Sequence, residues 1–545
     1  MKNPNYLFLV AILAITSFFL YGFFETQITL PLAASHDQQM IYSWPDAMAN
    51  YFFIQNFNIS NTWAFAEPLN TQFGDIFHPR STNIINHFVV PSGFPGMIVL
   101  FGLILKILPF GFINFLTPIL GALSLFPFFG VTRIVFGQKT AIIGVFLLAF
   151  FAPFVYYANL SMLSAVPFVF CTLVGLYFFL KFLMEKYDYL NAIASAVFFG
   201  LAFFIRPCEL IWLFAIILLN IILLAKKSFW RQILVFAIVF FMISALFPLF
   251  NHIIYGKWWM TGYFNATSSN LLSAEFQIQE QQNGLAKLFR LAFIPFGLHL
   301  RNIYNVLIEY VISPLWPYFC LTVSGLVYLG FKIKKNKFFA AYVFSFILSN
   351  VWLLFYYGNW ILADNLILKN NIIGSSYTRY LLPGLILALP IVSYFIHLTL
   401  EIKARNWLKK LLLASIILGL SMFSLNIAFY SPKDGLLAQK DIIKNYYDQF
   451  DLVFQKIQPN AILIVDRTDK IFFPSYRVVP FNFNYNIFHV LRNALKDRAI
   501  YYHSVLSAQQ IKELNEEKLQ ELGLKFELYA LINSEYSLYT LKTIK

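Results

Sequence analysis

The stretch Phe94–Pro109, FPGMIVLFGLILKILP, decides how this 545-residue chain is threaded. It is apolar enough to suggest a membrane crossing, yet it is short and interrupted by Pro95, Gly96 and Gly102. A crossing needs about 20 apolar residues, whereas a run of 10–14 reads better as a re-entrant or interfacial segment. Its neighbours settle the choice through their charges.

The chain is 59% hydrophobic and only 12% charged, with 64 phenylalanines. A soluble core cannot hide so much apolar surface in a chain of this length, so lipid must cover much of it. Apolar runs place about eleven spans near 6–24, 112–132, 140–158, 162–182, 190–206, 209–225, 232–250, 311–331, 338–357, 380–400 and 409–430. The first run has no clean small-residue cleavage site after it, which favours a retained helix over a signal peptide. Every second connection is then basic, as with Lys226, Lys227 and Arg231, or Lys332, Lys334, Lys335 and Lys337. With Lys2, those connections hold 16 basic residues against Glu185, Asp188 and Glu401, nearly all of the net charge of +14. Basic loops lie on the cytoplasmic side. A crossing at 94–109 would reverse every later loop, so this stretch reads as an interfacial or re-entrant helix. Residues 25–110 then form one large extracytoplasmic loop, and the N-terminus is cytoplasmic.

After Tyr430 the composition changes. AILIVDR (461–467), YRVVPFNF (476–483), AIYYHS (499–504) and KFELYALINSEYSLYTLK (525–542) read as strands. Residues 436–456, and the segment after Ser507 as N-cap, read as helices. The expected architecture is a polytopic α-helical membrane protein over residues 1–432, with a small extracytoplasmic α/β domain over 433–545. Asp466, Arg467 and Asp469 read as a solvated turn.

Several chemistries are excluded or weakened. The basic excess follows the topology rule, which leaves no footprint for nucleic acid. Cys171, Cys208 and Cys320 all fall in or beside spans, against a disulfide framework or a Cys-based zinc site. The first loop holds His36, Asp37, Asp46, Glu67, Asp75, His78, Arg80 and His87, but at no metal-ligand spacing. No cofactor is expected, although scattered carboxylates can bind a divalent ion. Tryptophans near span ends fit an aromatic belt.

Asp46, in SWPDAMANYFFIQNF (43–57), follows a Pro–Trp corner and precedes a helix-compatible run. On its own it would suit a helix N-cap. The stretch also resembles the first-loop motif of GT-C fold integral-membrane glycosyltransferases, within the group of protein O-mannosyltransferases and aminoarabinose transferases. FHPRSTNIINHFVVPSGFPGMIVLFGLI (77–104), TRIVFGQKTAIIGVFLLAFFAP (132–153), GLAFFIRP (200–207), NHIIYGKWWMTGY (251–263) and TRYLLPG (378–384) resemble later family positions, in order, over roughly residues 6–400.

The resemblance implies transfer of a sugar from a polyprenyl-phosphate carrier to a protein, lipid or polysaccharide acceptor at the outer face of the plasma membrane. Asp46 matches the family's catalytic aspartate, which accepts the acceptor's proton. Arg379 and Tyr380, with Arg80, Arg206 and Lys257, are the donor-phosphate candidates; Arg290 and Arg301 are reserves. Where many relatives carry further acids, this chain has Ala47 and Val166. Asp37 or Glu67 would have to supply a second carboxylate. Arg206 and Glu209 flank Pro207 and could simply pair. Rival readings are a transporter or flippase for a lipid-linked glycan, and a catalytically inactive membrane scaffold. The flippase reading calls for midplane ionisable residues or broken helices in paired halves, and the sequence has few buried charges and no repeat between halves.

Overall fold

The computed structural model describes residues 4–35, 40–185, 188–226, 229–259, 293–361, 373–399, 406–481 and 484–544. The chain forms two compact units. The first comprises Met1–Glu25, Ile113–Phe247 and Ile278–Ala438; the second comprises Thr26–Phe112, Pro248–Gln277 and Gln439–Lys545.

Most of the long apolar helix lies in the first unit. Among the described residues, eight helices are long and apolar enough to cross a bilayer: Tyr6–Ala34, Phe110–Phe136, Ala165–Phe182, Pro207–Leu224, Trp230–Tyr255, Lys337–Gly358, Ser376–Thr399 and Trp407–Tyr430. Two bent pairs raise the number to ten. Gln138–Phe150 and Ala152–Asn159 meet at 51°, and Leu300–Ile312 and Trp316–Gly330 meet at 101°. Pro153 and Pro314 lie at these breaks, where each removes a backbone donor. The remaining expected span is the 17-residue helix Tyr189–Ile205, about 26 Å long. It packs closely on its neighbours: a Cβ on Gly200 would lie 2.7 Å from the Ile243 side chain. Small residues at such crossings let helix backbones approach and gain dispersion contacts without a hydrophobic driving force.

The second unit joins segments that the sequence reading assigned to separate domains. From the first-loop segment come α1 (Pro45–Ser60), β1 (Phe65–Ala66), α2 (Pro68–Phe73), β2 (Thr82–Ile85), β3 (Phe88–Pro91) and α3 (Gly96–Leu105). The three strands form an antiparallel sheet in the order β1-β3-β2. Asn86 and His87, at φ 51° and 68°, make the two-residue turn between β2 and β3, and both left-handed positions suit a type I′ hairpin. Helix α3, the ambiguous stretch, has 10 residues. It is about 15 Å long, half a bilayer core.

The C-terminal segment supplies α4 (Leu436–Phe454), β4 (Ile462–Val465), α5 (Asp469–Phe472), β5 (Arg477–Pro480), α6 (Ile487–Ala494), β6 (Ile500–Ser504), α7 (Ala508–Leu514), β7 (Leu524–Leu531) and β8 (Ser537–Thr543). Its sheet runs β5-β4-β6-β8-β7. Strand β4 is parallel to both β5 and β6, while β8 pairs antiparallel with β6 and β7. Ser507 caps α7 in a capping box with Gln510, a reciprocal arrangement that satisfies two orphan donors. Leu69 and Phe77 of the first-loop segment are buried with Ile464, Phe481, Leu491 and Phe526. That shared apolar core is the physical reason the two segments fold as one body.

Candidate active site

In the first unit, helix Tyr189–Ile205 stops at Arg206 (φ −141°, ψ 79°). Pro207 follows, and a residue before proline is driven out of helical geometry. The Arg206 side chain turns into a buried polar knot. Its Nη2 lies 2.7 Å from Glu209 Oε1 and 3.3 Å from the Tyr357 hydroxyl. The carboxylate of Glu209 also accepts from Trp212 Nε1 at 2.5 Å and from the Tyr357 hydroxyl at 2.8 Å. Nη1 of Arg206 is buried and makes no hydrogen bond to any described residue.

Tyr380 connects this knot to Arg379. Its ring stacks on Tyr357 with centroids 4.4 Å apart. The guanidinium carbons of Arg206 and Arg379 lie 5.3 and 5.0 Å from the Tyr380 ring centre. Arg379 Nη2 also donates to the Tyr380 hydroxyl at 3.1 Å. Two of the residues expected to contact the donor, Arg206 and Arg379, are thus gathered on the ring of a third, Tyr380. The charge of Arg206 is compensated by Glu209.

The segment before Arg379 is pinned. Ser375 Oγ accepts from the Thr378 N–H at the start of helix Ser376–Thr399. The Tyr157 hydroxyl lies 2.7 Å from the Ser375 carbonyl, and the Tyr156 hydroxyl donates to the Asp434 carbonyl at 2.9 Å. Asp434 also accepts from the Gly374 N–H, and burial raises its pKa.

In the second unit, Trp44 occupies the N-cap of α1 and Pro45 the first helical position. Asp46 therefore does not cap the helix. It sits in the first turn, where the positive end of the helix dipole favours a carboxylate. Its Oδ1 accepts from Ser81 Oγ at 2.7 Å. Ser81 has φ 60°, left-handed backbone that is uncommon for a residue other than glycine. Next to it, Arg80 is committed: its N–H and Nε donate to the two oxygens of Asp469 at 2.8 and 2.6 Å, and Nη2 donates to the Arg467 carbonyl at 2.6 Å.

The expected solvated turn is corrected here, because Asp469 is buried under its ion pair. Asp466 likewise accepts from Tyr502 and Ser504 at 2.7 and 2.9 Å. These partners come from β6 and from the first-loop segment, far away in sequence.

Glu67 caps α2 through the Leu69 N–H and pairs with Arg477 Nε at 2.8 Å. Both oxygens are thereby occupied. His78 Nδ1 is 2.9 Å from the Pro79 carbonyl, which can only accept, so that nitrogen carries the proton. Burial lowers the pKa of His78. Lys257 and Arg301 are exposed. Asp37 and Arg290 lie outside the described residues. No group of three His, Cys, Asp or Glu side chains among the described residues could hold a metal ion.

Glu209 was visible in sequence as a partner for Arg206, but Tyr357, Trp212, Ser81 and Asp469 were not. No spacing pattern links them to the residues they hold.

No protein-family model and no curated protein sequence matches the chain. Solved structures do. The archaeal oligosaccharyltransferase AglB from Archaeoglobus fulgidus, in complex with an inhibitory peptide and a dolichol-phosphate, aligns with a TM-score of 0.55 at 13% identity, over 92% of this chain and 69% of that one. ArnT from Cupriavidus metallidurans bound to undecaprenyl phosphate aligns with a TM-score of 0.52 at 9% identity, over 99% of this chain and 98% of that one. At these identities the likeness establishes the fold. It is the GT-C fold of membrane glycosyltransferases, in a multi-pass membrane chain.

Proposed function

We propose that the protein is a glycosyltransferase that moves a sugar from a polyprenyl-phosphate carrier to an acceptor at the outer face of the plasma membrane. The observation that carries this reading is the gathering of Arg206 and Arg379 on the Tyr380 ring. A guanidinium held in a buried aromatic setting suits a lipid phosphate, because it stays charged and offers paired donors. The buried Nη1 of Arg206 is a further donor for an anion. The match to an undecaprenyl-phosphate-bound enzyme over nearly the whole of both chains adds weight.

Asp46 is the base in this reading. The acceptor hydroxyl oxygen attacks the anomeric carbon, and its proton passes to the Asp46 carboxylate. The bond between that carbon and the phosphate oxygen breaks, and the electron pair leaves with the polyprenyl phosphate. Arg379 meets the charge that builds on this leaving group. A single displacement inverts the anomeric centre. The charge pattern of the loops supports a cytoplasmic N-terminus and an extracytoplasmic C-terminal segment.

The test uses the full chain in detergent. Arg379→Ala should weaken undecaprenyl phosphate binding by about 10–100-fold, the worth of a charge-assisted hydrogen bond. Asp46→Asn should keep that affinity and lose transfer from undecaprenyl-phosphate-linked hexose or pentose. Unchanged binding in the first variant, or retained transfer in the second, would overturn the corresponding role.

A further inference from the structure

The second unit offers an account of how Asp46 is held. Two consecutive residues of α5 reach the chain on either side of it. Asp469 takes the backbone N–H and the Nε of Arg80, the neighbour of Ser81. Lys470 Nζ donates to the carbonyl of Ser43, three positions before Asp46. Ser81 in turn donates to the Asp46 carboxylate.

The pieces are closely packed. Asp469 is fully buried, and Lys470 lies 4.7 Å from the centre of the Tyr446 ring. The Phe52 ring of α1 meets Phe473, just past α5, edge to face at 4.6 Å between centroids. Ser81 keeps its left-handed backbone between this anchor on Arg80 and the hydrogen bond from the Ser92 N–H to its carbonyl. An ion pair with a buried carboxylate is a costly way to fix an ordinary surface loop. It suits a loop whose tip must present one hydroxyl in one direction.

We propose that Asp469 and Lys470 are positioning residues that fix the carboxylate of Asp46, with Asp469 acting through Arg80 and Ser81 and Lys470 through Ser43. This rests on the reading of Asp46 as the base. The C-terminal segment thereby contributes to the reaction without touching substrate. The Ser81 hydroxyl donates to one carboxylate oxygen, Oδ1, and the helix entry fixes the main chain of the same residue.

The experiment measures carbodiimide labelling of Asp46 by mass spectrometry in the full chain, alongside turnover of undecaprenyl-phosphate-linked hexose or pentose. Asp469→Ala and Ser81→Ala should each raise Asp46 labelling several-fold. They should lower kcat by about 10–100-fold, the penalty for a misplaced reacting group, with KM for the donor and affinity for undecaprenyl phosphate unchanged. Asp469→Glu, which keeps the charge, should recover most of the loss.

A merely structural Asp469 would instead lower affinity, melting temperature and kcat together, with no preferential labelling of Asp46. That result overturns the proposal. So does unchanged labelling in Ser81→Ala, a small deletion that decides the matter if Asp469→Ala fails to fold. Asp46→Asn, run in parallel, separates the two ideas. If it retains transfer, the base assignment fails; if it is inactive while Asp469→Ala and Ser81→Ala behave as wild type, only the positioning scheme fails.

Discussion

Arg206 and Glu209 meet at 2.7 Å across Pro207, with their side chains 3% and 1% exposed. Neither charge has water to fall back on, so the pair stands or falls together. Glu209→Ala should destabilise the protein by about 3–5 kcal/mol, because it strands a buried guanidinium. Thermal unfolding in detergent measures this. A change below about 1 kcal/mol would mean that Arg206 finds another partner within reach.

Glu67 separates architecture from chemistry. As the cap of α2, it should cost about 1 kcal/mol when replaced by Ala. Transfer activity should remain. Lost transfer with an unchanged melting temperature would restore Glu67 as the second carboxylate.

His503 should make stability depend on pH. Burial holds its pKa at about 3 against 6.5 for a free imidazole. The folded protein keeps it neutral where the unfolded chain would protonate it. Its contribution is therefore complete above pH 6.5 and is lost as pH falls toward 3, by up to about 1.4 kcal/mol per pH unit. Asp466 is raised by burial. A raised carboxyl contributes in the opposite sense, losing stability as pH rises through its folded value. Comparing urea unfolding of wild type and His503→Leu between pH 4 and 7 isolates the imidazole: the wild type should lose ground relative to the variant as pH falls.

Gly102 has no room for a side chain. A Cβ there would lie 2.7 Å from Trp63 Cη2 and 2.9 Å from Phe57 Cδ1, and those two rings are stacked at 3.6 Å. Gly102→Ala should cost about 1–3 kcal/mol through overpacking. Neutral melting behaviour would show that the Phe57–Trp63 stack can slide.

Much of this fold was legible in the sequence because its signals are local. Each of the eleven apolar runs has a helical counterpart, and the alternating tail became β4 to β8 with Ser507 at a cap. Strand β5 stops at Pro480, earlier than its apolar pattern suggested, since proline cannot donate to the sheet ladder. Strands β1 to β3 and helix α6 escaped notice: two- and four-residue strands carry too little periodicity, and α6, although Ile487, Phe488, Leu491 and Ala494 recur at helical spacing on its buried face, is only 8 residues long.

The site was legible residue by residue but not as an arrangement. Arg379 and Tyr380 are adjacent, yet the packing that brings Arg206 to the same ring is tertiary. Arg80 looked like a phosphate ligand because its partner Asp469 is 389 residues away. Long-range ion pairs leave no spacing to read. The first loop therefore seemed richer in uncommitted charge than it is.

The second unit is assembled from the beginning, middle and end of the chain. During synthesis, the segment through Phe112 must wait for Gln439 onward, more than 300 residues later. At ordinary translation speeds that delay is on the order of 15–65 s. Throughout it, Leu69 and Phe77 lack the strands that will cover them, and Arg80 lacks its carboxylate. The hairpin and the apolar α3 must persist over that interval in a partly exposed state, so maturation of this half of the molecule is necessarily a late event. A ribosome stalled before residue 439 would hold a chain with most of its long apolar helices made and the nest around Asp46 still open.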